Sequence, residues 1–364
     1  MMMSEVSYQK LAERLDALPN GYPATNDGSE LKVLEKLFTP EEAELTAKLR
    51  LFRETPDQLA ERIGGDAKEL RKMLKSMAKR GLIAAGRVKG EKNLGYGILP
   101  FVVGIYEYQI GSIDEELSQL FENYFKKAFS TALNMQPQVH RVIPVNQTVR
   151  NDMEIKPFEN ATDIIKEAKA WGVVDCICRK QKSLIDDACG HPIEICMMLG
   201  PVEGMFDNNT NIRSQTLDES LGMLQQAADV GLVHSVSNNQ EGLYYICNCC
   251  TCSCGILRGM AEMGIANVVA RSAFVNTVDE DSCVACEDCV EYCQFDALAL
   301  NDDNVMTVDG VKCVGCGVCV PACNDEAMTL VRRPEEEIKP IPVTEKDWML
   351  ERATSRGIDI REVM

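Results

Sequence analysis

Seventeen cysteines are the residues of this chain best equipped for chemistry, and all lie between Cys176 and Cys323. They fall in closely spaced sets, the pattern of metal ligation. A disulfide scaffold would be short, secreted and denser in cysteine. Metal-ligating thiolates must stay reduced, so a cytoplasmic location is expected. Two sets share one spacing. Cys283, Cys286, Cys289 and Cys293, and then Cys313, Cys316, Cys319 and Cys323, both read C-x2-C-x2-C-x3-C. The offset is 30 residues at every position (Cys283 to Cys313, and so on), and Ala297/Ala327 and Leu300/Leu330 continue it. This is an internal repeat.

The spacing suits iron–sulfur ligation. Three cysteines of a run wrap one cubane, with short loops that turn backbone N–H groups toward the sulfurs, and the fourth ligates the other cluster. One [4Fe–4S] cluster is therefore expected on Cys283, Cys286, Cys289 and Cys323, and a second on Cys313, Cys316, Cys319 and Cys293. Two zinc knots are the competing account, but they would pair C-x2-C units and would not need the triple run. Over roughly Val278–Arg332 the sequence resembles the bacterial two-cluster ferredoxin domain. It departs from that pattern after each fourth cysteine, where the usual proline is Gln294 or Asn324. That proline shapes a turn and is not a ligand, so the departure bears on loop rigidity and potential. From Ser272 to Val311 there is no Lys or Arg against ten Asp or Glu. Such charge disfavours the reduced cluster, so a low potential and a redox partner with a basic docking surface are expected.

Nine cysteines remain: Cys176, Cys178, Cys189 and Cys196, then Cys247, Cys249, Cys250, Cys252 and Cys254. They fit no disulfide or ferredoxin template and are too dense for scattered core thiols. Soft thiolates select zinc or an iron–sulfur cluster, and spacing does not decide between them. The neighbouring ferredoxin run favours a third cluster. Its charge would be offset by Arg179, Lys180 and the dipole of a helix expected over Ile256–Met263. The surplus over four ligands leaves room for a second metal, a redox dithiol or an open coordination position. His191 is a candidate ligand, although a lone His near cysteines is more often a hydrogen-bonding neighbour. His140 and His234 fall on expected strands as structural residues. The arrangement also resembles iron–sulfur proteins of anaerobic bacteria and archaea that place it beside the same ferredoxin domain. That resemblance covers roughly Val142–Arg332 and implies an electron-transfer role without naming a substrate.

The elements that must position these residues suggest an α+β chain in four segments. Residues 1–110 read as a helical, winged-helix-like domain. Thr55 to Gln58 form a capping box before a short helix that Gly64 and Gly65 end. Asp66 caps a second helix with Leu70, Leu74 and Met77 on one face, stopped at Gly81. A hairpin of Leu82–Arg87 and Leu94–Val103 follows. Lys and Arg far outnumber Asp and Glu between Arg62 and Lys92. A basic patch is a footprint and not a readout, so DNA is an alternative partner that is not favoured. Residues 111–275 form a Cys-rich metal-binding domain. Its elements are an amphipathic helix over Asp114–Phe129, a strand at Arg141–Val145, helices at Thr162–Trp171 and from Leu217 to Gly231, and strands at Leu232–Val236 and Leu243–Ile246. Residues 276–333 are the two-cluster domain, and 334–364 a charged tail with a short helix around Trp348–Thr354.

A net charge of −18 disfavours nonspecific contact with nucleic acid and anionic membrane. The longest apolar run, near Ile98–Tyr106, is broken by Gly and Pro and is too short to span a bilayer. The N-terminus lacks the apolar stretch of a signal peptide. There is no phosphate-cradling glycine loop and no nucleophile elbow, and three histidines supply an acid–base triad poorly. The expected function is electron transfer, as a relay or electron-delivering subunit of an anaerobic oxidoreductase system. The alternatives are an oxidoreductase whose substrate meets the middle centre and a redox-sensing transcription regulator.

Overall fold

The computed structural model describes residues 2–145 and 155–364. Its chain is α+β and falls into two compact units. The first joins Met1–Met135 to Leu184–Asp186 and Met349–Met364, and the second comprises Gln136–Ser183 and Asp187–Trp348. These differ from the four segments read from sequence: the helix after Asp114 and the last sixteen residues both belong to the first unit.

The first unit opens with α1 (Met2–Asp16), α2 (Ser29–Leu37) and α3 (Pro40–Thr46). The Thr55 hydroxyl accepts from the Gln58 N–H while the Gln58 side chain accepts from the Thr55 N–H, which starts α4 (Pro56–Ile63). Asp66 caps α5 (Ala67–Lys79) through the Lys68 and Glu69 N–H groups. Leu74 and Met77 are buried, while Arg71, Lys72, Lys75 and Lys79 are exposed. Gly81 takes φ +72°, and a Cβ there would stand 2.3 Å from the Tyr108 Cβ, so only glycine fits. β1 (Ile83–Arg87) and β2 (Leu94–Ile98) form an antiparallel hairpin. β2 stops short of the expected Val103, because Pro100 has no N–H to extend the ladder. Asp114 caps α6 (Glu115–Tyr124), which buries Leu117, Phe121 and Tyr124. The buried Arg352 guanidinium donates to the carbonyls of Pro19, Ala132 and Met135, each at 2.8 Å, and ties the C-terminal residues into this unit.

The second unit is built on a six-stranded antiparallel sheet. Its chain order is β3 (His140–Val142), α7 (Ala161–Glu167), β4 (Ala170–Asp175), α8 (Ile177–Ser183), β5 (Glu194–Gly200), β6 (Arg213–Gln215), α9 (Leu217–Asp229), β7 (Val233–Ser237) and β8 (Tyr245–Cys249). The spatial order is β3-β7-β8-β5-β4-β6. Ile164, Ile165 and Leu224 of the helices pack on Met197, Leu199, Val236 and Ile246, so α7 and α9 cover one face. The expected helix over Thr162–Trp171 ends at Glu167, and Trp171 enters β4. Pairing of Trp171, Gly172 and Val173 with both β5 and β6 outweighs local helix preference, and the Trp171 indole donates back to the Ile165 carbonyl at 2.8 Å. The expected helix over Ile256–Met263 is reduced to α10 (Arg258–Ala261), preceded by turns. Four residues give no useful dipole, so that source of charge compensation falls away.

The same unit carries two small antiparallel pairs. β9 (Phe274–Val278) pairs with β12 (Met328–Arg332), and β10 (Leu298–Leu300) with β11 (Met306–Val308), with α11 (Asp288–Tyr292) between β9 and β10. Among the described residues no helix is long and apolar enough to cross a membrane.

Candidate metal centres

The 30-residue repeat recurs in the backbone of the C-terminal cysteine region. Asp279 N–H donates to the Ala327 carbonyl and Asp309 N–H to the Ala297 carbonyl, each at 2.8 Å. Left-handed backbone stands at Ala285 and Glu287 in the first run, at Gly315 and Gly317 in the second, and at Asp296 and Glu326 after them. These positions mark the turns between successive cysteines and after each run. The electrostatic neighbours of Cys289 are Cys323, Cys286 and Cys283. Those of Cys316 are Cys313 and Cys293, and Cys319 faces Cys316, Cys293 and Cys313 first and Cys289 after them. Each fourth cysteine thus lies with the first three of the other run.

Burial pushes the Cys289 thiol up to about 11 and Cys316 to about 12, and holds Cys319 well above the usual thiol range. Thiolates there need the positive charge of a metal to exist at neutral pH. Cys293, Cys313, Cys316 and Cys319 line a small pocket with Phe295, Leu298 and Val318. N–H groups already aim at the sulfurs: Asn276 Nδ2 at Cys319 (3.1 Å), Ala297 N at Cys293 (3.4 Å) and Met306 N at Cys283 (3.5 Å). Donor set, cavity and N–H groups fit an iron–sulfur cluster.

Residues 276–299 match the family model of the 4Fe-4S binding domain. No curated protein and no solved structure matches the chain. The matched span of the 4Fe-4S domain runs from Asn276 through the first run, Cys283 to Cys293, and iron–sulfur electron transfer is the chemistry it supports. Two side chains in this domain escape a reading by ligand spacing. Asn276 is one, although an Asn alternating with Phe274 and Val278 was a visible signal. Gln294 is the other. Its Oε1 accepts from the Thr251 N–H at 2.8 Å, and its Nε2 donates to the Gly231 carbonyl. Thr251 lies between Cys250 and Cys252, so Gln294 brackets the 4Fe-4S domain to the middle cysteines.

Six of those middle cysteines close a ring. Cys176 neighbours Cys178 and Cys196, Cys178 meets Cys254, Cys196 meets Cys247, and Cys249 joins Cys247 to Cys254. The sheet explains half of it. Side chains alternate along a strand, so Ile195, Met197 and Leu199 of β5 enter the helix-covered core and Cys196 points the other way. On β8, Ile246 joins that core, and Cys247 and Cys249 point away from it. The remaining three thiols come from the start of α8 and the turns after β8. Hydrogen bonds from Cys178 and Cys196 hold Cys176 well below the usual thiol range, and those from Cys247 and Cys254 bring Cys249 down to about 6.

The other three, Cys189, Cys250 and Cys252, gather with His191, and their ligand atoms all lie within 4.8 Å of one another. Hydrogen bonding from Cys252, reinforced by the charge of Arg179, brings Cys250 down to about 5. Arg179 is buried and donates to the Asn248 carbonyl (2.8 Å), the Pro192 carbonyl (3.1 Å) and Cys250 Sγ (3.4 Å). It is the compensating cation expected from sequence, and Cys176, Cys250 and Cys196 are its anionic neighbours. Lys180 instead pairs with Asp175 at 3.5 Å. His140 and His234 lie on β3 and β7. His140 is held by Tyr245 (2.8 Å) and Ser235 (3.3 Å), and His234 by Asn248 (2.6 Å). Burial lowers both imidazoles to about 4, so they stay neutral parts of the sheet.

Proposed function

We propose that this chain relays electrons between a basic redox partner and a metal centre in its own Cys-rich domain, within an anaerobic oxidoreductase system. Cys283, Cys286, Cys289 and Cys323 would hold one [4Fe–4S] cluster, Cys313, Cys316, Cys319 and Cys293 a second, and the six-cysteine ring a third iron–sulfur centre. When bound, these clusters supply one-electron chemistry, and the protein supplies position and potential.

The observation that carries the reading is the Gln294 bracket. It follows directly on Cys293 and binds the backbone of the Cys250–Cys252 turn, so the inner end of the 4Fe-4S domain is fastened to the middle cysteines. The outer end is arranged for a partner. Cys286 is exposed beside exposed Val284, while Cys316 and Cys319 are buried. Asp279, Glu280, Asp281, Glu287, Asp288 and Glu291 are exposed around that outer run. A basic surface docked there would lie against Cys286.

Iron and sulfide analysis of the anaerobically purified protein tests the reading. Two clusters require about eight iron, and a four-iron centre in the ring raises this to about twelve. A Cys176→Ser, Cys178→Ser variant should lose the additional iron and keep the eight. Eight iron in both proteins would leave the relay without its inner terminus.

A further inference from the structure

The surplus of middle cysteines divides by distance and by side of the sheet. Cys189 Sγ stands 3.9 Å from Cys250 Sγ, and Cys252 Sγ stands 3.7 Å from His191 Nδ1. A tetrahedral ion with Zn–S near 2.3 Å and Zn–N near 2.0–2.1 Å separates its ligand atoms by about 3.5–3.8 Å. A cubane spreads its four cysteine sulfurs much further, because its irons and sulfides stand between them. Among the described residues this is the one group of ligand atoms that converges within 4.8 Å, and no three thiols of the ring do so.

The two sets also lie on opposite faces. Cys250 packs with Ile195, Ala227 and Leu232, and Cys189 packs against the same cluster. Ile195 and Cys196 are successive residues of β5 and face opposite ways, so Cys250 is on the α9 side and the ring on the other. Cys249 and Cys250, adjacent in sequence, serve different sites. Around Cys189 and Cys250 the sulfurs have donors, Ser253 Oγ at 3.3 Å and Arg179 Nη2 at 3.4 Å, and Arg179 also faces Cys176 and Cys196 of the ring. Such outer partners orient thiolate ligands and offset their charge.

We propose that Cys189, His191, Cys250 and Cys252 form a mononuclear tetrahedral zinc site, separate from the six-cysteine ring. This deepens the reading of the middle cysteines as metal ligands. Three thiolates and one imidazole fill the coordination shell, as in structural zinc sites, and leave no open position for a substrate. The ion would pin the turn that presents Thr251 to Gln294 and Cys249 and Cys254 to the ring. It is a clamp between the two parts of the relay and takes no electrons itself.

Zinc K-edge absorption on the intact, anaerobically purified protein tests this without any substitution. The expected result is about one zinc per chain, with three sulfurs near 2.3 Å and one imidazole nitrogen near 2.0–2.1 Å. His191→Ala and Cys252→Ser should lose zinc at unchanged iron, whereas Cys176→Ser should lose iron and keep zinc. Absence of zinc, a four-sulfur shell, or iron lost with His191→Ala overturns the proposal. A low iron count with zinc and its shell intact would instead count against the ring centre alone.

Discussion

Asn276 reaches the Cys319 sulfur at 3.1 Å from a strand whose neighbouring inward positions are Phe274 and Val278, and its own Oδ1 is buried without a partner. An unsatisfied buried acceptor costs about 1–3 kcal/mol, so its counterpart is the N–H directed at a sulfur that carries negative charge. Removing that donor destabilises the more negative, reduced cluster. Asn276→Val, which suits the strand, should therefore move one midpoint potential to a more negative value at unchanged iron content in film voltammetry. Unaltered potentials would show that the contact tunes nothing. Gln294 owes its role to contacts distant in the chain. As a departure from the ferredoxin pattern it was visible in sequence, but its purpose was not. Its partners, Gly231 and Thr251, stand 63 and 43 residues away in the chain.

The two cysteine runs share a backbone path but not the same surroundings. Ala285 and Gly315 occupy equivalent left-handed positions, at φ 57° and 71°. A Cβ on Gly315 would stand 2.1 Å from the Phe274 carbonyl oxygen and 2.2 Å from Ser272 Oγ. Gly315→Ala should therefore displace β9 and empty the site on Cys313, Cys316, Cys319 and Cys293, with about half of the domain's iron lost. Ala285→Gly should be tolerated, and should raise stability by about 1 kcal/mol through relief of left-handed strain. Iron analysis beside thermal unfolding checks both, and full iron in Gly315→Ala would contradict the packing argument. Ligand spacing made the runs legible because it is local. The ring was not legible, because it forms only when β5 and β8 pair and set Cys196 near Cys247. β4 and β5 themselves were hidden, since Ala170–Asp175 adjoins a helix and Glu194–Gly200 was marked chiefly by its cysteine. The caps at Thr55 and Asp66 were readable because each acts within four residues.

Across the second unit, burial and charge order the sites from outside inward. The exposed Cys286 stands among carboxylates, Cys316 and Cys319 are buried, and Gln294, next to Cys293, is fastened to the turn between the ring and the Cys189 group. The acidic face was plain from composition. The inward order was not, because it depends on which of two equivalent runs meets the Cys-rich domain. The most direct test of the relay is freeze-quench EPR after flash reduction of the intact protein, compared with Gln294→Pro. The account predicts that electrons first seen in the 4Fe-4S domain appear in the middle centre, and do so more slowly in the variant at unchanged potentials. Electrons that never reach the middle centre in the wild-type protein, or that reach it equally fast in both proteins, would contradict it.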